Sequence, residues 1–310
     1  MPLVKNYLSL VKFSHTIFAM PFALIGFFLA VNALDLFTAL YAQKSYVGYV
    51  GINIGGFPQS IGELIMRFVL VILCMVTARS AAMAFNRWLD KSFDAKNPRT
   101  AIREIPAGII SANQALIFVV INCIAFIVFT AFINRLCFFL SPVALFVILF
   151  YSYTKRFTPL CHLVLGLGLS LAPIGAYLAV AGRFDVLPVI FSFVVLCWVS
   201  GFDIIYALQD IDFDQSENLY SIPALLGKKK ALRVSELLHL LAAALVIFAG
   251  FKGSFGFFYW LGVVVFCTML VYQHAVVKPD DLRRVNLAFM TANGIASVVF
   301  AVLVILDMLL

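Results

Sequence analysis

Charged residues are scarce in this sequence: they make up 12% of its 310 residues, against about a quarter of an ordinary soluble domain. Acidic residues are the scarcer sign, with 15 Asp and Glu against 22 Lys and Arg, and the net charge is +7. The six cysteines form no Cys-x-x-Cys pair, which argues against both a disulfide framework and a zinc site. No small-residue cleavage site follows the first apolar segment, so a cleavable signal peptide is not predicted.

Apolar residues, by contrast, make up 64% of the chain, and the mean hydropathy is +1.05. They form nine segments of about 20 residues, the length that crosses ~30 Å of hydrocarbon. The segments are 14–34, 64–85, 114–134, 136–153, 161–181, 185–208, 232–251, 255–277 and 285–307. Runs of this length exclude the strands of a membrane barrel. The sequence therefore predicts an all-α polytopic membrane protein, a bundle of about nine transmembrane helices that forms a single domain over residues 1–310.

Lys and Arg are distributed unevenly between the two ends of such a bundle. The end that holds the N-terminus carries 16 of them, and the other end carries 5. Because basic loops stay in the cytoplasm, we expect a multi-pass protein of the cell inner membrane with a cytoplasmic N-terminus and an external C-terminus. Membrane lipids, and neither nucleic acid nor an obligate protein partner, are the expected surroundings. The glycine-rich connection 35–63 is predicted to be an irregular or interfacial loop on the outer side.

A first polar cluster begins inside the second apolar segment. Asn86, Asp90 and Asp94 are spaced i, i+4 and i+8, so on a continuous helix they line one face. Arg79 lies two turns earlier on the same stripe. Four basic residues follow in the chain: Lys91, Lys96, Arg99 and Arg103. This pattern predicts a polar site at the mouth of a membrane helix, over residues 86–94.

A second acidic cluster, over residues 203–214, closes the sixth segment. Asp203, Tyr206, Asp210 and Asp214 step by three, four and four residues, again along one helical face, whereas Asp212 points elsewhere. Both clusters fall at the predicted cytoplasmic mouth of the bundle. An acid inside a span costs roughly 2.5–3.5 kcal/mol on insertion scales, so Asp203 is a functional candidate. The structural alternative is an ion pair between Arg79 and Asp203.

Four carboxylates that face one another repel strongly unless cations lie between them. Aspartates with retained water suit Mg²⁺, which takes one or two carboxylates together with phosphate oxygens of a substrate. The neighbouring Lys and Arg side chains suit the remaining phosphate charge. A diphosphate clamp with apolar walls predicts an isoprenyl diphosphate as the ligand. The main rival is a secondary transporter, although transporters place such acids nearer the bilayer midplane.

The stretches NRWLDKSFD, RTAIREIPAG, YSYTKRFTPL and FDIIYALQDIDFD resemble the UbiA superfamily of intramembrane prenyltransferases. Asn86, Asp90 and Asp94 match its NxxxDxxxD motif, and Asp210 and Asp214 match its DxxxD motif. Most of the chain is covered by this resemblance, which implies a UbiA-like helical bundle.

The most similar branch is that of the 4-hydroxybenzoate polyprenyltransferases, which usually carry ND in the first motif and RP after it. This chain has Asn86-Arg87 and Arg103-Glu104 instead. Together with KFSHTIFAMPFALIG near the start, these departures resemble a menaquinone-pathway offshoot that prenylates a dihydroxynaphthoate. The resemblance therefore leaves two aromatic acids open as the acceptor in quinone biosynthesis.

The resemblance implies a transferase of alkyl groups other than methyl, which moves a polyprenyl group from its diphosphate to the aromatic acid with Mg²⁺ as cofactor. The implied metal ligands are Asp90, Asp94, Asp210 and Asp214. The implied diphosphate-binding residues are Arg99, Arg103, Lys91, Lys155, Asn86 and Arg79. Asp203 and Tyr206 are the implied partners of the acceptor hydroxyl, and Arg156 that of its carboxylate.

Overall fold

The computed structural model describes residues 2–11, 19–34, 57–58 and 60–310, with the backbone alone for residues 2–5. Its helices are α1 (Pro2–Leu10), α2 (Met20–Ala33), α3 (Ile61–Leu89), α4 (Lys91–Lys96), α5 (Ala112–Ile133), α6 (Arg135–Thr154), α7 (Cys161–Ala181), α8 (Val186–Ala207), α9 (Ile211–Ser216), α10 (Ile222–Lys252), α11 (Phe257–Val276) and α12 (Asn293–Leu309). Residues 14–18 of the first predicted span, and most of the predicted loop 35–63, lie outside the described residues.

The predicted all-α membrane fold is confirmed. Eight helices in the described part of the chain are long and apolar enough to cross a membrane, and α2 is a shorter apolar helix of 14 residues. Several ends differ from the prediction, because polar residues extend the helices beyond their apolar runs. Helix α3 reaches Leu89, and α10 begins at Ile222 and contains a break at Gly227, whose φ is +74°.

Helix caps fix where the chain re-enters the bundle after its polar loops. The side chains of Ser60, Ser111 and Ser221 each accept the backbone N–H of the residue three positions on. These bonds satisfy backbone donors that a helix start otherwise leaves free. Ser111 and Ser221 thereby define the ends of the two connections that follow the acidic clusters.

Helix α8 forms the centre of the bundle, packed between α7 and α10. Its Trp198 and Phe191 are fully buried. Because α8 carries the second acidic cluster at its end, the best-packed helix of the fold positions the polar residues that follow it.

Close packing of α2 against α7 depends on Gly26. A Cβ atom at this position would lie 2.0 Å from the carbonyl oxygen of Pro173. Small residues allow such close backbone approach between membrane helices. We expect Gly26→Ala to destabilise the folded protein by about 1–3 kcal/mol, measured as a lower thermal midpoint in detergent. Gly294→Ala is the control, because nothing lies within 4 Å of its added methyl group; an equal loss in both variants would contradict the assignment.

Candidate active site

Both acidic clusters lie where a long helix ends and the chain rewinds. Helix α3 ends at Leu89, and Asp94 lies on the separate helix α4. In the second cluster α8 ends at Ala207, followed by a 3₁₀ turn and then α9. The prediction of a continuous helix through each cluster is therefore wrong, although the acids on both sides of each break line the same cavity.

A cavity of about 300 Å³ lies at this end of the bundle. All but one of the predicted site residues line it: Arg79, Asn86, Asp90, Asp94, Arg99, Arg103, Lys155, Arg156, Asp203, Tyr206, Asp210 and Asp214. The exception is Lys91, whose Nζ is exposed and lies 5.3 Å from the ring centre of Trp88. Lys91 is thus not placed to contact a diphosphate in this cavity. Asp212 is exposed and points away from the cavity, as its spacing predicts.

Each acid of the two aspartate motifs forms an ion pair with a different basic residue. The pairs are Asp90–Arg156 at 2.7 Å, Asp94–Arg103 at 2.8 Å, Asp210–Arg99 at 2.7 Å and Asp214–Lys155 at 2.6 Å. Three of them join segments that are far apart in sequence, so the loops after α3, α6 and α8 meet at one end of the bundle. Arg156, predicted to bind the carboxylate of the acceptor, is instead paired with a motif acid.

Burial shifts the pKa values of residues in these pairs. It raises the pKa of the Asp90 carboxyl above its usual value, although the Arg156 guanidinium acts in the opposite direction. Burial disfavours the charged Arg99, but Asp210 and Tyr206 outweigh it and raise the pKa of Arg99. The acids of the four pairs are at most 25% exposed, whereas Arg99 is 36% exposed and stays open to solvent.

The donor set of the cavity fits a hard cation such as Mg²⁺. Asp90, Asp94, Asp210 and Asp214 supply carboxylate oxygens, and Asn86, whose amide donates to Asp90 at 3.0 Å, supplies an amide oxygen. In the part of the chain that the structure describes, no three His, Cys, Asp or Glu side chains are grouped closely enough to hold a metal. The acids are separated because each is turned toward its basic partner.

Asp203 lies deeper in the cavity and contacts a histidine. His162 Nδ1 and the Asp203 carboxylate are 2.7 Å apart, so the alternative ion pair with Arg79 is not formed. The other ring nitrogen of His162 accepts the backbone N–H of Ile222 at 3.4 Å. Because Nε2 is the acceptor of that bond, the ring proton lies on Nδ1, which donates it in the hydrogen bond to Asp203. His162 lies two residues after the KRFTPL stretch, but its partner 41 residues away could not be predicted from spacing.

The aromatic rings of Tyr206 and Phe289, the Tyr206–Phe289 wall, line the same cavity as Asp203. The Tyr206 ring packs 4.3 Å from that of Phe289, which lies in a π-helical turn, Leu287–Ala292. The Tyr206 hydroxyl accepts a hydrogen bond from Arg99 Nη1 at 3.2 Å. Phe289 lines the cavity but sits in an apolar run, where no feature of the sequence distinguishes it.

A second, apolar cavity of about 340 Å³ adjoins the first. Aliphatic and small side chains of α3, α5, α6 and α7 line most of it, and Arg79 and Tyr151 line both cavities. Arg79 Nε is buried without a hydrogen-bond partner, and no carboxylate in the described residues pairs with this side chain. Arg79 is therefore a cation at the boundary between the polar and apolar spaces.

The two positions at which the sequence departs from the benzoate-branch pattern contact each other. Arg87 Nη1 donates to Glu104 Oε2 at 2.8 Å, and both residues are buried. Both residues depart from the family pattern, but no spacing in the sequence predicts their contact or a role for either.

The sequence model of the UbiA prenyltransferase family matches residues 46–295, which is most of the chain. The chain belongs to the UbiA prenyltransferase family. This UbiA member is 30% identical to the 4-hydroxybenzoate octaprenyltransferase of Francisella tularensis subsp. mediasiatica, over 76% of the chain and 83% of the relative. It is 29% identical to the enzyme of the same name from Tolumonas auensis, over 72% of the chain and 78% of the relative.

Solved structures agree with this family. A UbiA homolog from Aeropyrum pernix K1 superposes with a TM-score of 0.73 at 28% identity, over 94% of this chain and 95% of that one. A UbiA homolog from Archaeoglobus fulgidus bound to GPP and Mg²⁺ superposes with a TM-score of 0.68 at 17% identity, over 98% and 100% of the two chains. The UbiA member described here is thus a prenyltransferase that spans a membrane several times, and the transporter alternative is set aside.

Proposed function

We propose that this protein transfers a polyprenyl group from polyprenyl diphosphate to an aromatic acid of the 4-hydroxybenzoate type, in a Mg²⁺-dependent step of quinone biosynthesis. The observation that carries the proposal is the set of four acid–base pairs in a polar cavity that also holds Asp203 and adjoins an apolar cavity. The names of the curated relatives supply the acceptor class. The metal of the Archaeoglobus homolog supports the cofactor.

Binding of the diphosphate is an exchange of partners in this proposal. Asp90, Asp94, Asp210 and Asp214 release their basic partners and bind Mg²⁺, with the Asn86 amide beside them. The released Arg99, Arg103 and Lys155 then hold phosphate oxygens, the two arginines in a bidentate manner. When bound, Mg²⁺ neutralises the charge that develops on the leaving diphosphate.

The prenyl chain occupies the apolar cavity between α3, α5, α6 and α7. Its reactive end then lies at the boundary of the two cavities, near Arg79 and Tyr151. The allylic carbon–oxygen bond breaks, and the diphosphate leaves with the electron pair. Burial of this boundary excludes water, which would otherwise capture the allylic cation.

The aromatic acceptor lies between Asp203 and the Tyr206–Phe289 wall. Asp203, oriented by His162, accepts the hydrogen bond of the phenolic hydroxyl and makes the ring more electron-rich. A ring carbon forms the new carbon–carbon bond to the allylic carbon, and transfer of the proton from that ring carbon to the released diphosphate restores aromaticity. Tyr206 fixes the plane of the ring through stacking.

Arg79 is assigned to the carboxylate of the acceptor, in place of Arg156. Besides its pair with Asp90, Arg156 donates to the backbone carbonyls of Ser152 and Leu89, which hold it in place even when Asp90 changes partner. Arg79, by contrast, has a buried Nε without a partner and faces the cavity. A buried cation without a counter-charge is costly, so an anionic substrate group is its natural partner.

We expect Arg79→Gln to raise the KM for 4-hydroxybenzoate at least about tenfold, because a buried charge pair is lost. The affinity for geranyl diphosphate is expected to stay unchanged in titration calorimetry. The methyl ester of 4-hydroxybenzoate is the control substrate, since it lacks the carboxylate charge: wild type and variant should use it equally poorly. A variant that loses diphosphate affinity and keeps its KM for the acceptor would instead assign Arg79 to diphosphate binding.

We propose further that the protein lies in the cell inner membrane, with the N-terminus and the active site on the cytoplasmic side. The support is the excess of Lys and Arg at the end of the bundle that carries the site. Labelling of single cysteines introduced on a cysteine-free background, from either side of sealed vesicles, tests this orientation.

The deciding experiment is prenyl transfer by the purified protein in lipid vesicles. Geranyl or octaprenyl diphosphate is supplied with Mg²⁺ and with either 4-hydroxybenzoate or a dihydroxynaphthoate, and products are identified by mass. We expect a prenylated 4-hydroxybenzoate that disappears with EDTA and returns with added Mg²⁺. Product with the dihydroxynaphthoate alone would move the enzyme to menaquinone biosynthesis, and no product with either acid would overturn the proposal.

A further inference from the structure

Glu104 is a buried acid that the proposed chemistry does not use. It lies in the connection between α4 and α5, which also carries Arg99 and Arg103. Its carboxylate accepts hydrogen bonds from two directions: from Arg87 of α3, at 2.8 Å, and from the hydroxyl of Ser9 in α1. Glu104 therefore ties this connection to two separate helices.

The backbone of Glu104 also closes the connection on itself. Its carbonyl oxygen accepts the N–H groups of Ile109 at 2.9 Å and of Ile110 at 3.0 Å. Gly108, with φ at +72°, makes the reversal that brings these two donors back. Glu104 thus both closes the turn within the connection and attaches the connection to the bundle.

Arg103 is the neighbour of Glu104 and points the opposite way. Its backbone N–H bonds the carbonyl of Thr100 at 2.9 Å, and its guanidinium reaches both carboxylate oxygens of Asp94, at 2.8 and 2.9 Å. With Glu104 bonded on the bundle side, the Arg103 side chain lies in the cavity. A shift of Glu104 would move Arg103 with it.

Helix α1 covers this connection with apolar contacts as well. Leu10 is fully buried in a small cluster with Ala84 of α3 and Ile110 of the connection. The rings of Tyr7 and Phe118 are 4.9 Å apart. The Ser9 hydrogen bond is therefore made by a docked helix.

We propose that Ser9, Arg87 and Glu104, the Glu104 clamp, position Arg99 and Arg103 for the prenyl diphosphate. Glu104 is thus a positioning residue for substrate binding, and this inference rests on the proposed diphosphate role of the two arginines. A buried ion pair contributes little net stability, because apolar side chains of similar size are often as stable. Here the ion pair instead fixes the position of the connection that carries Arg99 and Arg103, the residues proposed to bind the diphosphate.

The test measures the affinity for geranyl diphosphate with Mg²⁺ in the full-length protein, in the absence of any acceptor. We expect Glu104→Gln to weaken this affinity about tenfold or more, since small displacements of binding groups have large effects. In turnover assays the KM for the diphosphate rises and the KM for the acceptor does not. Partial unfolding would lower the maximal rate without changing either KM. Ser9→Ala, which keeps the buried pair, is expected to give a smaller loss of affinity of the same kind.

A second variant keeps the test decisive if Glu104→Gln leaves Arg87 as a buried charge and prevents folding. Arg87→Met combined with Glu104→Met removes both charges together and should fold. Asp281→Asn is the control, because its pair with Arg283 lies on an exposed loop. A folded double variant that binds as wild type overturns the clamp. Absence of binding by the wild-type protein overturns the proposed function instead.

Discussion

Replacing Asp90 with asparagine is expected to slow prenyl transfer by about a hundredfold to a thousandfold in a protein that remains folded. The carboxylate of Asp90 follows the last turn of α3, where it accepts from the Asn86 amide and from Arg156. Asparagine keeps the size of the side chain but removes the charge that binds Mg²⁺ in the proposed site. Turnover in lipid vesicles at rising Mg²⁺ concentration is the measurement, and excess metal should restore only part of the rate.

Asp212→Asn is the matched control for this variant. Asp212 belongs to the second acidic cluster but is exposed and does not line the cavity. The same change of charge there should leave turnover at the wild-type level. Near-normal activity of Asp90→Asn would break the assignment of the metal site, whatever the control shows.

Asp203→Asn is expected to lower kcat about a hundredfold and to leave the affinity for geranyl diphosphate unchanged. Asparagine accepts the hydrogen bond of the phenolic hydroxyl more weakly than a carboxylate does. The residues of the four acid–base pairs, which are proposed to bind the diphosphate, are unchanged in this variant. Product formation and calorimetric binding are measured on the same preparation.

The Asp90 and Asp203 variants serve as controls for each other, because one should lose diphosphate binding and the other only aromatic transfer. If Asp203→Asn instead abolished diphosphate binding with normal acceptor affinity, the role of Asp203 would be wrong.

The helical bundle could be predicted because the length of an apolar run decides whether a segment crosses a membrane. The spacing of Asp90, Asp94, Asp210 and Asp214 also indicated that these acids share one site. Spacing alone did not reveal the helix breaks after Leu89 and Ala207. An i, i+4 spacing is compatible both with one continuous helix and with a long helix that is interrupted and followed by a short one.

The pairing of the charges could not be predicted from the sequence. Several acids and bases of similar strength meet at one end of the bundle, and only the packing of α3, α6 and α8 decides which ones touch. The pair of Arg156 with Asp90, at 2.7 Å, therefore has no signal in the sequence. The same holds for His162, whose partner Asp203 is brought close by the contact of α7 with α8.

The one-to-one pairing in the cavity has a consequence for how the chain folds. Asp90, Asp94, Asp210 and Asp214 each have, within 2.8 Å, a cation that the chain itself supplies. The charges of both motifs are therefore balanced by intramolecular partners, and the folded bundle needs no external cation to offset their mutual repulsion.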